Sequence, residues 1–244
     1  MNLGQGGTEV MTVRAERLYG FTGEIALRVE GLPPGVTASP GTIHVRPEPM
    51  GQDAAQITLT AAPDAPRQGF PLRVVGAAMV ASHPVERVAE PIETYQLLGE
   101  EDRRQRPTVF QVAGVGEPVP FIVAAEPRQV SLAPGATTTL KVTVTRRPEA
   151  AAAKGEVNLD VENVPEGVNV KAPAIPADKS EGSIELKAPE KLDPRTVNLI
   201  VRGRIKEMKD MKEMKEKETV QPAPAVTLVV VPKPPEPSKP VAAR

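Results

Sequence analysis

Apolar residues recur at every second position over long stretches of this chain. Ile25, Leu27 and Val29 alternate with Glu24, Arg28 and Glu30, and Val157, Leu159 and Val161 alternate with Glu156, Asn158, Asp160 and Glu162. Leu140, Val142 and Val144 are interleaved with Lys141 and Thr143, and Ile184 and Leu186 flank Glu185. Successive strand residues point to opposite faces, so each run predicts a strand with one buried and one wet face. This is the pattern of antiparallel sheets, since strands of a parallel sheet are buried on both sides. Between the runs stand Leu32-Pro33-Pro34-Gly35 and Val164-Pro165-Glu166-Gly167. Proline presets φ and glycine accepts the positive φ that closes a bend, so both segments predict turns. Strands between such turns predict an all-β chain of two tandem immunoglobulin-like antiparallel β-sandwiches, about seven strands in each.

The same pattern is written twice. Residues 23–36 align with 155–168 at an offset of 132. Ile57, Leu59, Ala61, Leu72, Val74 and Gly76 match Ile184, Leu186, Ala188, Leu199, Val201 and Gly203 at an offset of 127. Upstream, Gly4, Thr8, Thr12 and Val13 match Gly135, Thr139, Thr143 and Val144 at 131. The expected modules are 1–114 and 119–232, joined by a hinge at 113–118, with a loop at 99–106 before a last strand at 108–112. Phe121–Ala125 and Gln129–Leu132 are extra strand candidates in the second copy. The first copy is therefore expected to lack its opening strand, as a piece of a longer chain or with a partner adding the strand at the edge. Residues 204–218 are expected as a charged helical insertion or hairpin arm, and 233–244 as a Pro-rich disordered tail.

Composition narrows the function classes. The 244 residues include 28 Pro and 19 Gly, a density that breaks helices and favours short strands. Aromatics are 2 % with no Trp, too few for base stacking, and the net charge of −1 leaves no basic footprint for nucleic acid. With no Cys, disulfides and thiolate chemistry are excluded. No apolar run is long enough to span a membrane, and no signal peptide is legible.

Residues 12–17 and 20–25, followed by Gly31-Leu32-Pro33-Pro34-Gly35-Val36, resemble bacterial immunoglobulin-like repeats of large secreted or surface proteins. Such repeats stand beside pre-peptidase C-terminal domains and subtilisin-like proteases, and they are similar to the module that accompanies some α-galactosidases. The resemblance implies a non-catalytic spacer or interaction module in the cell envelope, periplasm or extracellular space. Its implied partners are other domains of the same polypeptide or protein partners, and glycans if it serves a hydrolase.

No catalytic or metal constellation is legible, and no cofactor is expected. His44 and His83 stand alone in separate segments, and no Gly-x-Ser-x-Gly context surrounds any serine. Glu24, Glu30, Glu156, Asp160 and Glu162 are expected to keep a wet strand face soluble. Tyr19 and Phe21, close together in a loop, are the candidate ligand contacts, with capping of the sandwich end as their structural alternative.

Overall fold

The computed structural model describes residues 1–45, 53–96, 103–150, 153–206 and 218–232. The protein is all-β, with no α-helix among the described residues. Its first eleven strands are β1 (Asn2–Gln5), β2 (Thr8–Ala15), β3 (Ile25–Glu30), β4 (Val36–Ala38), β5 (Gly41–Ile43), β6 (Asp53–Ala61), β7 (Gly69–Val80), β8 (His83–Val88), β9 (Ile92–Gln96), β10 (Arg103–Pro107) and β11 (Gln111–Pro118). One sheet runs β1-β11-β7-β3-β5 with β8 on the second half of β7, and the facing sheet runs β2-β6-β4. Leu27, Ile43, Ile57, Leu59, Leu72 and Val74 are buried between them.

The second sandwich holds β12 (Phe121–Glu126), β13 (Gln129–Leu132), β14 (Thr137–Arg146), β15 (Asn158–Glu162), β16 (Asn169–Lys171), β17 (Glu181–Lys187), β18 (Arg195–Lys206), β19 (Glu218–Pro222) and β20 (Val226–Val230). Its sheets run β12-β14-β17-β16 and β13-β20-β18-β15, with β19 on β18. The core is aliphatic around Phe121, with Leu140, Val142, Ile184, Leu186 and Leu199 fully buried.

Strand registers reproduce two of the sequence offsets. Leu27 faces Gly76 as Leu159 faces Gly203. Gly35 and Gly167 both take positive φ, and Val36 and Val168 donate to the carbonyls of Pro33 and Pro165, each at 3.1 Å. A Cβ at Gly76 would meet Ile25 on the neighbouring strand, and at Gly203 it would meet Val157 and, from the facing sheet, Val123, so both glycines make room for side chains packed over them. The third offset needs correction. Thr8 faces Thr60 while Thr137 faces Lys187, which sets the upstream equivalence at 129 and aligns Gly6 with Gly135, both at φ +75°.

Other expectations change as well. Residues 113–118 are no hinge; they belong to β11, which pairs with β7 and lies parallel to β1. The last strand of the first sandwich is thus Gln111–Pro118, not 108–112. Arg103–Arg106, expected as loop, are strand β10 paired with β9, and 99–102 lie outside the described residues. Gln129–Leu132 does have a counterpart, because β1 lies parallel to β11 as β13 does to β20. Only β12 has none. Within 204–218 the flanks are a hairpin, Arg204 facing Val220 and Lys206 facing Glu218, and 207–217 lie outside the described residues. The matching bend in the first sandwich is the two-residue turn Ala81-Ser82, both at positive φ, the form that suits strand twist. The tail 233–244 also lies outside the described residues.

Candidate interaction site: the contact between the two sandwiches

The outward face of β6 presents short polar side chains, Gln56, Thr58 and Thr60, to solvent in an isolated sandwich. Here that face meets β18, together with Asn163 just after β15 and Ala225 just before β20. Asn198, on β18, donates from Nδ2 to the Pro40 carbonyl (2.6 Å) and the Gln56 carbonyl (3.0 Å). Its Oδ1 accepts from the Thr227 hydroxyl at 3.3 Å. Asn163 donates to Gln56 Oε1 (2.9 Å) and to the Asn198 carbonyl (3.1 Å). The Ala225 amide donates to Thr58 Oγ1 at 3.0 Å. Asn198 is 8 % exposed and Thr58 1 %, so water does not compete for these groups. Buried polar groups with every partner in place fix one geometry, since sliding would orphan several at once.

Local structure sets these side chains in position. Asn163 sits at φ +62°, where the equivalent Gly31 is at +86°; asparagine is among the few side-chain residues that tolerate this region. The bend after β15 thereby aims a carboxamide at the first sandwich. His44 follows β5 and donates from Nε2 to the Thr196 carbonyl at 2.7 Å, while Nδ1 lies 2.9 Å from Glu24 Oε1. Where β11 ends, the Val119 amide donates to the Gln5 carbonyl at 3.1 Å. Val119 also packs on Gly4 and Gly7, at positions a Cβ would fill.

Reading the sequence missed this contact, and it left His44 standing alone in its segment. Two arginines were missed as well. Arg17 donates to Asp53 and to the Gly23 and Ile43 carbonyls; Arg146, its equivalent at the offset of 129, donates to the Lys179, Gly155 and Pro176 carbonyls. Each ties the loop after its strand to the opposite edge of the sandwich. Burial pushes the Arg146 guanidinium below its ordinary pKa.

Three carboxylates of the wet faces meet arginines. Glu30 pairs with Arg28 and Arg73, Asp160 with Arg204, and Glu162 with Arg202. The Arg28 hydrogen bond holds the exposed Glu86 carboxyl below its ordinary range. Glu9 differs: burial raises its pKa, opposed by the charges of Arg202 and the amino terminus. His83 donates from Nδ1 to the Ala81 carbonyl in the β7–β8 turn. Tyr19 is fully exposed at φ +53°, beside exposed Leu18. Phe21 packs instead against Gly23 and under the Arg17 guanidinium, 5.5 Å from the ring centre. No group of three or more His, Cys, Asp or Glu side chains gathers for a metal among the described residues.

No family model matches the chain, and no curated protein sequence does. Among solved structures, domains 4 and 5 of the S-layer protein SbsC are similar at 14 % identity and a TM-score of 0.28, over 71 % of this chain and 69 % of that one. The ectodomain of the teleost fish polymeric Ig receptor is similar at 11 % identity and a TM-score of 0.27, over 96 % of both chains. Likenesses at these TM-scores carry no argument about role. Among the described residues no helix is long and apolar enough to cross a membrane.

Proposed function

We propose that this chain is a non-catalytic pair of structural modules that fixes distance and orientation between parts of a larger cell-envelope or secreted bacterial protein. The observation that carries the reading is the buried polar contact centred on Asn198, which ties the two sandwiches through side chains of both. A flexible tether needs only a linker. A spacer that transmits orientation needs its units locked, and satisfied buried polar groups do this. The envelope or secreted setting rests on the resemblance of residues 31–36 to bacterial immunoglobulin-like repeats. Small-angle X-ray scattering of the full chain tests the rigid spacer: one docked arrangement is expected to fit the whole profile. A profile that requires a broad mixture of inter-module orientations contradicts it.

A second reading is favoured by Tyr19, held outward at a loop tip, where a sugar or protein partner has access to the whole ring. Under it the chain is an accessory carbohydrate- or protein-binding module of a hydrolase or protease. A glycan array distinguishes the two. Binding that is lost in Tyr19→Ala supports the accessory module, and an array without Tyr19-dependent signal supports the spacer.

A further inference from the structure

The first sandwich has a bare sheet edge where the second has a strand. In the second, β12 pairs along β14 and lays Phe121, Val123 and Ala125 over the core. In the first, β2 pairs with β6 alone among the described residues. The Ala61 amide donates to the Gly7 carbonyl, so antiparallel alternation turns the amides and carbonyls of Thr12 and Arg14 away from β6. Their equivalents, Lys141 and Thr143, face Glu126 and Ala124 of β12. The cores record the difference. Leu140 and Val144 are 0 % and 1 % exposed, whereas Met11 and Ala15 at the same positions are only half-buried.

A second observation lies on another surface. The second sandwich docks through Asn198, Thr227 and Ala225. Asn198 faces Thr227 on β20, and the equivalent Pro71 faces Val112 on β11, so Thr227 corresponds to Val112 and Ala225 to Phe110. On the first sandwich this face is uncovered and apolar, with Val109, Phe110 and Val112 exposed by 90 %, 69 % and 51 %. On the second sandwich both surfaces are covered: the face by β6 of the first sandwich, and the edge by β12, its own strand, which follows β11 in the chain. On the first sandwich no described strand other than β6 pairs with β2, although β19 approaches it, and Phe110 and Val112 stay exposed.

We propose that this edge and this face together receive another sandwich module of the same kind. Its sheet face covers Phe110 and Val112, and its trailing segment pairs antiparallel with β2 around Thr12 and Arg14. That segment carries apolar side chains at every second position, in the manner of Phe121, Val123 and Ala125, facing Met11, Val13 and Ala15. The inference goes beyond the spacer reading, because it stands whether or not the contact at Asn198 is rigid.

The test follows amide hydrogen exchange in two settings. In the first, a synthetic peptide copying residues 119–127 is added to the full chain. The Thr12 and Arg14 amides are expected to slow by at least about tenfold, and N-methylation of the peptide at the position of Ala124 is expected to abolish the effect. In the second, residues 1–127 are joined ahead of Met1 of the full chain. The same two amides of the downstream copy are then expected to be protected without peptide, with the downstream Phe110 ring in contact with the upstream β6. Unprotected Thr12 and Arg14 amides in the fusion overturn the proposal. So does a dimer of the unmodified chain that protects them, which assigns the edge to a second copy.

Discussion

Asn198 concentrates the inter-module contact in one carboxamide, with two carbonyls of the first sandwich on its donor side and a hydroxyl of the second on its acceptor side. Removing it leaves the Pro40 and Gln56 carbonyls, partly buried at the seam, without that donor. Asn198→Ala is therefore expected to cost about 1–3 kcal/mol in urea denaturation, the range for orphaning buried polar groups. Glu9 carries the opposite kind of strain. Burial raises its pKa, so the folded chain holds that proton more tightly than the unfolded chain. The resulting stability is present below the ordinary carboxylate range and is lost as pH rises through the raised folded value. Glu9→Gln is expected to flatten that segment of the stability–pH curve and to be more stable than the native chain at neutral pH. Urea midpoints on either side of the glutamate range read both effects, and a Gln variant less stable at neutral pH contradicts the assignment.

At the scale of elements, the open edge of β2 makes equivalent core residues unequal. Leu140 lies under β12, and truncation to alanine leaves a closed cavity costing about 2–5 kcal/mol. Met11 occupies the same position beside an unpaired edge, so Met11→Ala is expected to cost less than Leu140→Ala, the site being able to relax. Chemical denaturation of the two variants checks the order, and equal costs contradict a bare edge. The strands themselves were legible from alternation, and the Pro-Gly turns placed β3, β4, β15 and β16. The upstream register was not. Offsets of 131 and 129 match four and five residues, and strand pairing and the shared φ of Gly6 and Gly135 decide between them. With the wrong offset, Arg17 and Arg146 do not align, so their shared role stayed hidden. Residues 103–106 of β10 and the run 113–118 read as loop and hinge because charge and glycine dominate them locally. The pairing partners of 113–118, on β7 and β1, lie far away in the sequence.

At the scale of the molecule, two aliphatic cores meet through a polar seam. Alternation identifies which residues enter a core, because burial follows period two. It says nothing about which wet face meets another module: Gln56, Thr58, Asn163 and Asn198 look like any solvated strand or turn residues. The seam becomes visible only when their partners, more than a hundred residues away, are brought alongside. The most direct test of the central claim, that this seam locks the two sandwiches, is an electron-spin distance measurement. The chain has no cysteine, so Glu90→Cys and Lys191→Cys would be its only labelling sites. A single narrow distance distribution, broadened by Asn198→Ala, is the expected result. A distribution already broad in the native seam, and unchanged by Asn198→Ala, would contradict the account.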